Sequence, residues 1–261
     1  VAGMIDVARE QGRVLQLGSN ASYHEHIVRL AGMIAAGELG TVYAVRLSRM
    51  DARRLPRGWL RERELAGGGI ALEGVSHNLD WLYRMLPGLE LERVCARTCH
   101  AFANEAPTNT YLPADLAEGL SSEQPVMDVE EGVVGALHYR GNVTVILEAF
   151  RAVNAAPKYE LHLYGTRGGV SIDVARCYRE RLPGYATFYG DGPGGAFTRS
   201  VTEWPPRGFD HVDLYRHFFD RIGRGQVEDP CLERNRMVLR TVDAIYASAE
   251  RDGQGVSVGP E

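Results

Sequence analysis

Apolar residues recur at helical spacing in several stretches of the chain, and in others they alternate with polar residues or form short apolar runs. The helical spacing predicts helices over residues 1–11, 22–36, 72–85, 210–224 and 232–251. The alternating pattern predicts strands over residues 14–17, 41–50, 91–100, 129–139, 143–150, 159–164 and 170–174. Residues 181–209 are expected to be irregular, with one strand-like stretch at 197–201.

The order of these elements predicts the fold class. Runs of strands with helices grouped before and after them are typical of an α+β domain built on an open, mainly antiparallel sheet. Residues 140–142 (Arg-Gly-Asn) join two long alternating strands, which predicts a β-hairpin. A sheet of this kind buries one face under helices, and its other face often packs on a second copy or another domain. We therefore expect helices on one face and an interaction surface on the other.

The first predicted helix is followed by a single short apolar run, residues 14–17, which favours a buried strand. No βαβ repeat precedes this strand, so its neighbours in a sheet are not apparent from the sequence. We expect the helix and strand to be a remnant of another domain, and we expect the strand to be an exposed or loosely held sheet edge.

Composition and charge exclude several classes of protein. Hydrophobic residues make up 44% of the 261 residues, charged residues 24%, and the formal net charge is −5. This balance gives no general attraction to nucleic acid or to anionic membranes. No apolar run approaches the roughly 20 residues that cross a bilayer, and no signal peptide opens the chain. We expect a cytoplasmic protein with no membrane or nucleic-acid partner.

No metal site is expected. The four cysteines are Cys95, Cys99, Cys177 and Cys231. Cys95 and Cys99 lie in a strand-like run, where four residues span roughly 13 Å, too far for one metal or one disulfide. They are better explained as small buried residues in a reducing compartment. His24 and His26 lie two residues apart on a predicted helix, so they point to different sides and are poor metal ligands.

The strongest chemical signal lies where three glycines, residues 67–69, precede a predicted helix that carries Glu73 and His77. A spacing of four residues puts both side chains on one helix face, one turn apart. The pair suits proton transfer, with the histidine as base and the carboxylate as its partner or as a substrate ligand. Alternatively, the histidine is a structural helix residue. The glycines either let a ligand approach the backbone or form a turn.

A second glycine pattern, residues 190–195, matches the dinucleotide-binding sequence G-x-G-x-x-G. The pattern signifies binding only between a strand and a helix. Here no apolar strand precedes it, Pro193 lies inside it, and a strand-like stretch follows. We therefore interpret it as unrelated to dinucleotide binding.

Several motifs resemble the Gfo/Idh/MocA family of nicotinamide-dependent sugar and polyol oxidoreductases, and their order covers nearly the whole chain. The matching segments are residues 1–17, Gly18-Ser19-Asn20, the helix ending at residues 37–40, Trp59, residues 67–80, the hairpin around Gly141, residues 164–169 and residues 244–249. Relative to the family pattern, the chain starts after the glycine fingerprint and after the Glu-Lys-Pro motif that carries the family's catalytic lysine. Glu73 stands where the family usually has aspartate.

The resemblance implies a domain division and a set of site residues. Residues 1–18 would be the remnant of an N-terminal Rossmann domain, and residues 19–261 a substrate-binding and oligomerisation domain. His77 and Glu73 would be catalytic; Trp59, Asn78 and Asp80 would contact substrate; Tyr23 matches an aromatic residue near the cofactor. From the residues alone, Trp59 could equally fasten its loop to the core, and Tyr23 could serve packing. Asp80, three residues beyond His77, could support that histidine or serve the surface.

The function implied is the substrate-binding part of an oxidoreductase that uses NAD or NADP on a secondary alcohol of a sugar, cyclitol or related polyol. The chain alone is expected to be inactive, because the absent domain holds the cofactor. A homo-oligomer is expected through the open sheet face. Two alternatives remain open: a non-catalytic sugar-sensing or scaffold module, and a cofactor-dependent lyase or glycosidase. An intact upstream glycine fingerprint would favour the enzyme over the module.

Overall fold

The structure is a computed structural model, and it describes residues 2–23, 25–108, 126–173, 184–191, 197–204, 211–227 and 230–259. The helices are α1 (Ala2–Glu10), α2 (Glu25–Ala35), α3 (Arg63–Ala66), α4 (Ser76–Met85), α5 (Val212–Arg224) and α6 (Pro230–Ala249). Short 3₁₀ turns cover Asn20–Tyr23 and Gly58–Arg61, and a π-helical segment, Ala71–Val75, leads directly into α4.

The strands form one sheet whose described part has nine members. They are β1 (Val42–Ala52), β2 (Leu91–Cys99), β3 (Gly132–Tyr139), β4 (Val143–Val153), β5 (Lys158–Gly165), β6 (Gly168–Asp173), β7 (Gly184–Asp191), β8 (Phe197–Trp204) and β9 (Val256–Ser257). Their order across the sheet is β8-β7-β6-β5-β1-β4-β3-β2-β9. Within this described sheet β1 and β4 run parallel, and the other neighbouring strands are antiparallel.

The hydrophobic core lies between one face of this sheet and helices α2, α4 and α6. Along β4 the inward residues Val145 and Leu147 are buried, whereas Ile146 between them is exposed. The helices contribute core residues at helical spacing: Ile27 and Leu30 from α2, Leu79 and Leu82 from α4, and Val238, Val242 and Ile245 from α6. The α+β fold with helices on one face of an open sheet is therefore confirmed.

The opposite sheet face, which we call the open face, carries polar pairs and exposed apolar side chains. Glu148 of β4 accepts hydrogen bonds from Arg46 Nη2 at 2.6 Å and from Ser48 Oγ at 2.5 Å, both on β1. Exposed apolar residues on the same face include Ile146 and Val134. In the described part of the chain, no element packs over these positions as α2, α4 and α6 do on the other side.

Two predictions of secondary structure are wrong. Residues 13–19 follow α1 without forming a strand, because a strand requires a hydrogen-bonded neighbour and no described strand lies beside this segment. Residues 184–191 and 197–204, which were expected to lie in an irregular stretch, form the hairpin strands β7 and β8 at one end of the sheet. Their sequence is rich in glycine, serine and threonine, so apolar alternation gave little signal.

None of the helices in the described part of the chain combines the length and the hydrophobicity that a bilayer crossing requires.

Candidate functional site

The parallel strands β1 and β4 end side by side, and polar residues collect at their carboxyl ends. Arg49 and Asp51 lie near the end of β1, and Arg151 lies near the end of β4. These three residues are in phase with inward apolar residues of the same strands, so they belong to the helix-covered face. The carboxyl end of a parallel pair is a common place for a ligand site in sheets that helices cover.

The glycine-rich segment reaches this edge of the sheet and continues into the helix that carries the predicted pair. Glu73 lies in the π-helical segment and His77 in the first turn of α4. Single π turns within helices occur frequently at functional sites because the wider turn redirects side chains. The described geometry brings Glu73 to Arg151 and leaves His77 exposed to solvent.

A buried carboxylate, Glu130, holds the start of this helical segment. Its oxygens accept hydrogen bonds from Gly69 N at 3.0 Å and Ala71 N at 2.9 Å, and from the Tyr246 hydroxyl at 2.9 Å. Only 1% of Glu130 is exposed. The carboxylate therefore caps amide groups that the helix start leaves without intrahelical partners. Burial and the adjacent Glu130 raise the pKa of Tyr246, so its hydroxyl stays protonated as a donor.

The glycines before the helix are required by close packing against protein. A Cβ added at Gly69 would lie 1.9 Å from the Glu130 carbonyl oxygen, and one at Gly68 would lie 2.0 Å from the Tyr246 hydroxyl. Gly67 has φ +79° and ends α3 in the left-handed region, where glycine is favoured. Gly67 therefore fits the turn interpretation, whereas Gly68 and Gly69 are required by close packing, which neither sequence interpretation included.

Glu73 is held by a buried arginine. Nη2 of Arg151 donates to Glu73 Oε2, and the Arg151 side chain is 5% exposed while that of Glu73 is 40% exposed. Arg49 lies beside them, with its Nη1 at 3.3 Å from the Gly74 carbonyl oxygen and its guanidinium 5.0 Å from the Tyr159 ring centroid. The accessible carboxylate therefore projects from a layer of fixed positive charge.

Asp51 is the buried carboxylate beside these arginines. It is buried, and its Oδ1 accepts a hydrogen bond of 2.6 Å from the Tyr159 hydroxyl. Arg54 Nη1 lies 3.6 Å from the same oxygen, and Arg49 Nε lies 3.9 Å from Oδ2. The backbone of Arg54 also donates to the Arg151 carbonyl oxygen at 2.7 Å. These contacts fix the ends of β1, β4 and β5 relative to one another.

The environment of His77 favours the neutral imidazole. Desolvation by the surrounding protein and the positive charge of Arg49 lower the pKa of His77, while Glu73 and Asp80 oppose the shift. The ring remains accessible to solvent, although nearby protein atoms desolvate it. A neutral imidazole can accept a proton at neutral pH, which is the property that the sequence analysis required of this residue.

Two of the other predicted site residues, Asn78 and Asp80, are buried. Asp80 is 1% exposed and accepts hydrogen bonds from Ser19, Ser22 and Arg234, so protein groups occupy its carboxylate. Asn78 is buried in α4. Both placements differ from the open substrate contacts that the resemblance implied.

The two predicted aromatic residues have different surroundings. Trp59 lies in the Gly58–Arg61 turn and is 57% exposed, so it does not fasten its loop to the core. Tyr23 is half-buried, and its ring lies 4.7 Å from the ring of His217 on α5. The Trp59 side chain is therefore open to solvent, whereas Tyr23 packs against another side chain.

The sequence analysis missed Arg49, Asp51, Glu130 and Arg151. Arg49, Asp51 and Arg151 occupy strand positions at which the alternating pattern places a side chain that faces the core. Glu130 occupies a similar position just before β3. A charged residue in phase with buried valines and leucines is costly to bury, so it signals a buried partner or a site. This criterion would have selected Arg151, which follows Val145, Leu147 and Ala149 in phase.

The described residues do not supply a dinucleotide cradle. Gly190 and Asp191 end β7, Phe197 begins β8, and these strands pair antiparallel. A strand thus does precede the G-x-G-x-x-G pattern, contrary to the sequence prediction, but a strand rather than a helix follows it. A phosphate site of this type requires a helix N-terminus. Within the described residues, no three His, Cys, Asp or Glu side chains are grouped as metal ligands.

Comparison with known proteins places these features in a family. The sequence model of the "GFO/IDH/MocA C-terminal domain" matches residues 27–171, more than half of the chain. A protein of Amycolatopsis mediterranei (strain S699), provisionally named the oxidoreductase subunit of a UDP-kanosamine synthase, is 30% identical over 67% of this chain and 47% of its own length. The 1,5-anhydro-D-fructose reductase of Ensifer adhaerens is 29% identical over 64% of this chain and 44% of its own length.

Solved structures agree with the fold. Levoglucosan dehydrogenase in complex with NADH and levoglucosan superposes with a TM-score of 0.78 at 17% identity, over 98% of this chain and 69% of that one. The aldose-aldose oxidoreductase from Caulobacter crescentus, complexed with glycerol, superposes with a TM-score of 0.73 at 21% identity, over 98% and 67%. The chain spans about half the length of the curated relatives it matches.

Substitution of Gly69 tests the packing of the helix start. We expect Gly69→Ala to lower the free energy of unfolding by about 3 kcal/mol, because the new methyl group must displace the Glu130 carbonyl and weaken its hydrogen bonds. The matched control is Gly32→Ala in α2, where no atom lies within 4 Å of the added Cβ; it should stabilise the protein by about 0.5–1 kcal/mol. Urea unfolding measures both, and equal effects would contradict this packing.

The lowered pKa of His77 predicts a pH dependence of stability. Because the unfolded histidine binds a proton near pH 6.5, the unfolded chain binds more protons than the folded one between the folded pKa and about 6.5. Wild type should therefore lose stability relative to His77→Gln as the pH falls through this window. Urea unfolding at several pH values measures the difference, and NMR titration of the ring measures the pKa. A ring that titrates at or above 6.5 would contradict the assignment.

Proposed function

We propose, given that the chain belongs to the GFO/IDH/MocA family, that it is the substrate-binding part of an NAD(P)-dependent oxidoreductase. The substrate class we propose is a secondary alcohol of a sugar, cyclitol or related polyol. The observation that carries the proposal is the accessible Glu73–His77 pair, held at the carboxyl ends of β1 and β4 by buried Arg151 and Glu130. The pair combines a neutral base with a carboxylate that can accept hydroxyl hydrogen bonds.

Each accessible residue of the site takes one role. The neutral imidazole of His77 takes the hydroxyl proton during oxidation and returns it during reduction. Glu73 accepts hydrogen bonds from neighbouring hydroxyl groups, and Arg151 fixes its direction and charge. Trp59 offers an exposed indole face on which a sugar ring can stack. Desolvation, together with the positive charge of Arg49, lowers the pKa of His77 and so favours the neutral ring.

The redox partner we propose is a nicotinamide dinucleotide, NAD or NADP, which would accept or donate the hydride. We assign its binding to polypeptide other than residues 19–261, because the family model that matches residues 27–171 describes the C-terminal domain. Residues 1–18 are then the remnant of that nucleotide-binding domain. The coverage of the relatives supports this division, since the chain spans about half of their length. The names of several relatives, which mention NADH and sugars, support the cofactor and substrate classes.

Sugar binding by the chain itself tests the site. Calorimetry with levoglucosan, 1,5-anhydro-sugars, free aldoses and inositols should find at least one ligand whose Kd rises about 10–100-fold in Glu73→Gln, because a charged hydrogen bond contributes about 1.5–3 kcal/mol. Trp59→Ala should weaken binding about tenfold, and Trp59→Phe should restore most of it. Replacement of His77 by Gln should leave Kd within about threefold, since its role is proton transfer.

The control for these variants is Glu64→Gln, which changes an exposed carboxylate on α3. It should leave Kd unchanged. The 261-residue chain should show no turnover of the bound sugar with NAD or NADP. Turnover by this chain alone would contradict the division of labour, and equal binding by Glu73→Gln and wild type would contradict the site.

We further propose that the open face pairs with a second copy of the chain. The face presents exposed apolar side chains, among them Ile146, Val134 and Tyr164, beside the fixed Arg46–Glu148 pair. Contiguous apolar residues with a polar surround are typical of protein interfaces. A twofold pairing would place each open face against its own equivalent, as a symmetric dimer requires.

Sedimentation velocity tests this pairing. Wild type should sediment as a dimer or larger oligomer, and Ile146→Glu should shift it to monomer, because the introduced carboxylate would be buried without a partner. The control is Val28→Glu, which changes an exposed apolar residue on α2, outside the open face. A monomeric wild type, or equal effects of both variants, would contradict the pairing.

A further inference from the structure

Asp80 is the meeting point of three separate parts of the chain. It lies on α4, three residues after His77, and only 1% of it is exposed. Its Oδ2 accepts hydrogen bonds from the hydroxyl groups of Ser19 and Ser22, and its Oδ1 accepts one of 2.8 Å from Arg234 Nε on α6. We call these four residues the Asp80 junction.

The serines belong to a segment that is fastened on its other side as well. Gln16 Nε2 donates to the Leu214 carbonyl oxygen at 3.1 Å, and Gln16 Oε1 lies 3.0 Å from His217 Nδ1 on α5. The Tyr23 ring packs against the ring of His217. The segment 16–23 thus lies between α5 and the helix that carries His77, although it has no regular strand of its own.

We propose that Asp80 is a positioning residue, through which segment 16–23 and α6 set the placement of His77. The proposal rests on the role of His77 in the proposed function. It changes the assignment of Asp80 from substrate contact to internal link, and it adds Ser19, Ser22 and Arg234 to the residues on which the site depends.

The physical basis is the cost of leaving this junction incomplete. Asp80 is buried and Arg234 is half-buried, with side chains 2% and 10% exposed, so loss of Arg234 leaves an uncompensated charge in the interior. Burial opposes the charge of Arg234, but attraction and hydrogen bonding by Asp80 raise its pKa. Because α4 is a rigid helix, a displacement at Asp80 is transmitted one turn back to His77.

The hydroxyl links are tested without changing any charge. In Ser19→Ala/Ser22→Ala we expect the NMR resonances of the His77 ring and backbone to shift, and the Kd of the bound sugar to rise about three- to tenfold. The control is Ser48→Ala, which removes a buried hydroxyl that bonds Glu148 on the open face. Unchanged His77 resonances and Kd in the double variant, with urea unfolding showing a folded protein, would overturn the proposal.

A second test removes the negative charge of Asp80 or the positive charge of Arg234 and measures the pKa of His77. The charged groups facing His77 are Arg49, Glu73 and Asp80, and Arg234 lies behind Asp80. Asp80→Asn should lower the pKa of His77, and Arg234→Gln should raise it, because the Asp80 charge favours the protonated ring and Arg234 offsets that charge. The two together should return it close to the wild-type value. Arg236→Gln, on the same helix and paired with Glu233, should leave it unchanged.

The outcomes separate this proposal from the proposed function. Simple unfolding would move the His77 pKa of every variant towards 6.5, whereas the junction predicts shifts of opposite sign. If no sugar binds wild type but the resonance and pKa shifts occur, the junction stands and the proposed substrate class fails. If sugar binds as proposed but neither measurement changes, Asp80 is a passive core residue and the junction proposal fails.

Discussion

The placement of the whole site depends on one buried carboxylate. Glu130 accepts the amide hydrogens of Gly69 and Ala71 and the hydroxyl of Tyr246, so one side chain joins the approach to β3, the π-helical segment and α6. A buried carboxylate with neutral donors is stable only if every hydrogen bond is well made. The glycines permit this, because any side chain at 68 or 69 would collide with Tyr246 or Glu130. This anchoring fixes the start of the helical segment that carries Glu73 and His77.

The fold could be predicted from the sequence because its core residues recur at the spacings of strands and helices. The alternation of Val143, Val145 and Leu147 predicted β4, and the helical recurrence of Val238, Val242 and Ile245 predicted α6. The strand prediction for residues 14–17 is wrong because it rests on apolar content alone, whereas a strand also needs a hydrogen-bonded neighbouring strand. The strands β7 and β8 were missed because their pairing compensates for a weak apolar pattern.

Only part of the site could be predicted from the sequence. The spacing of Glu73 and His77 identified the helix, but helical periodicity could not show that Glu73 lies in a π turn and bonds Arg151 instead of His77. Arg151 and Arg49 come from strands far away in sequence, and their convergence depends on the parallel pairing of β1 with β4. A single sequence contains no information on such a register unless the buried charge itself is treated as a signal.

The Asp80 junction also has a consequence for how this protein could diverge. Its members, Ser19, Ser22, Asp80 and Arg234, come from three stretches of sequence and are joined by hydrogen bonds to the buried Asp80 carboxylate. Loss of one member leaves the polar groups of the others without their partners. During evolution, this arrangement can therefore be replaced only if several members change at nearly the same time. Across an alignment of descendants, these columns should therefore covary, and ancestors reconstructed with mixed members should be the least stable.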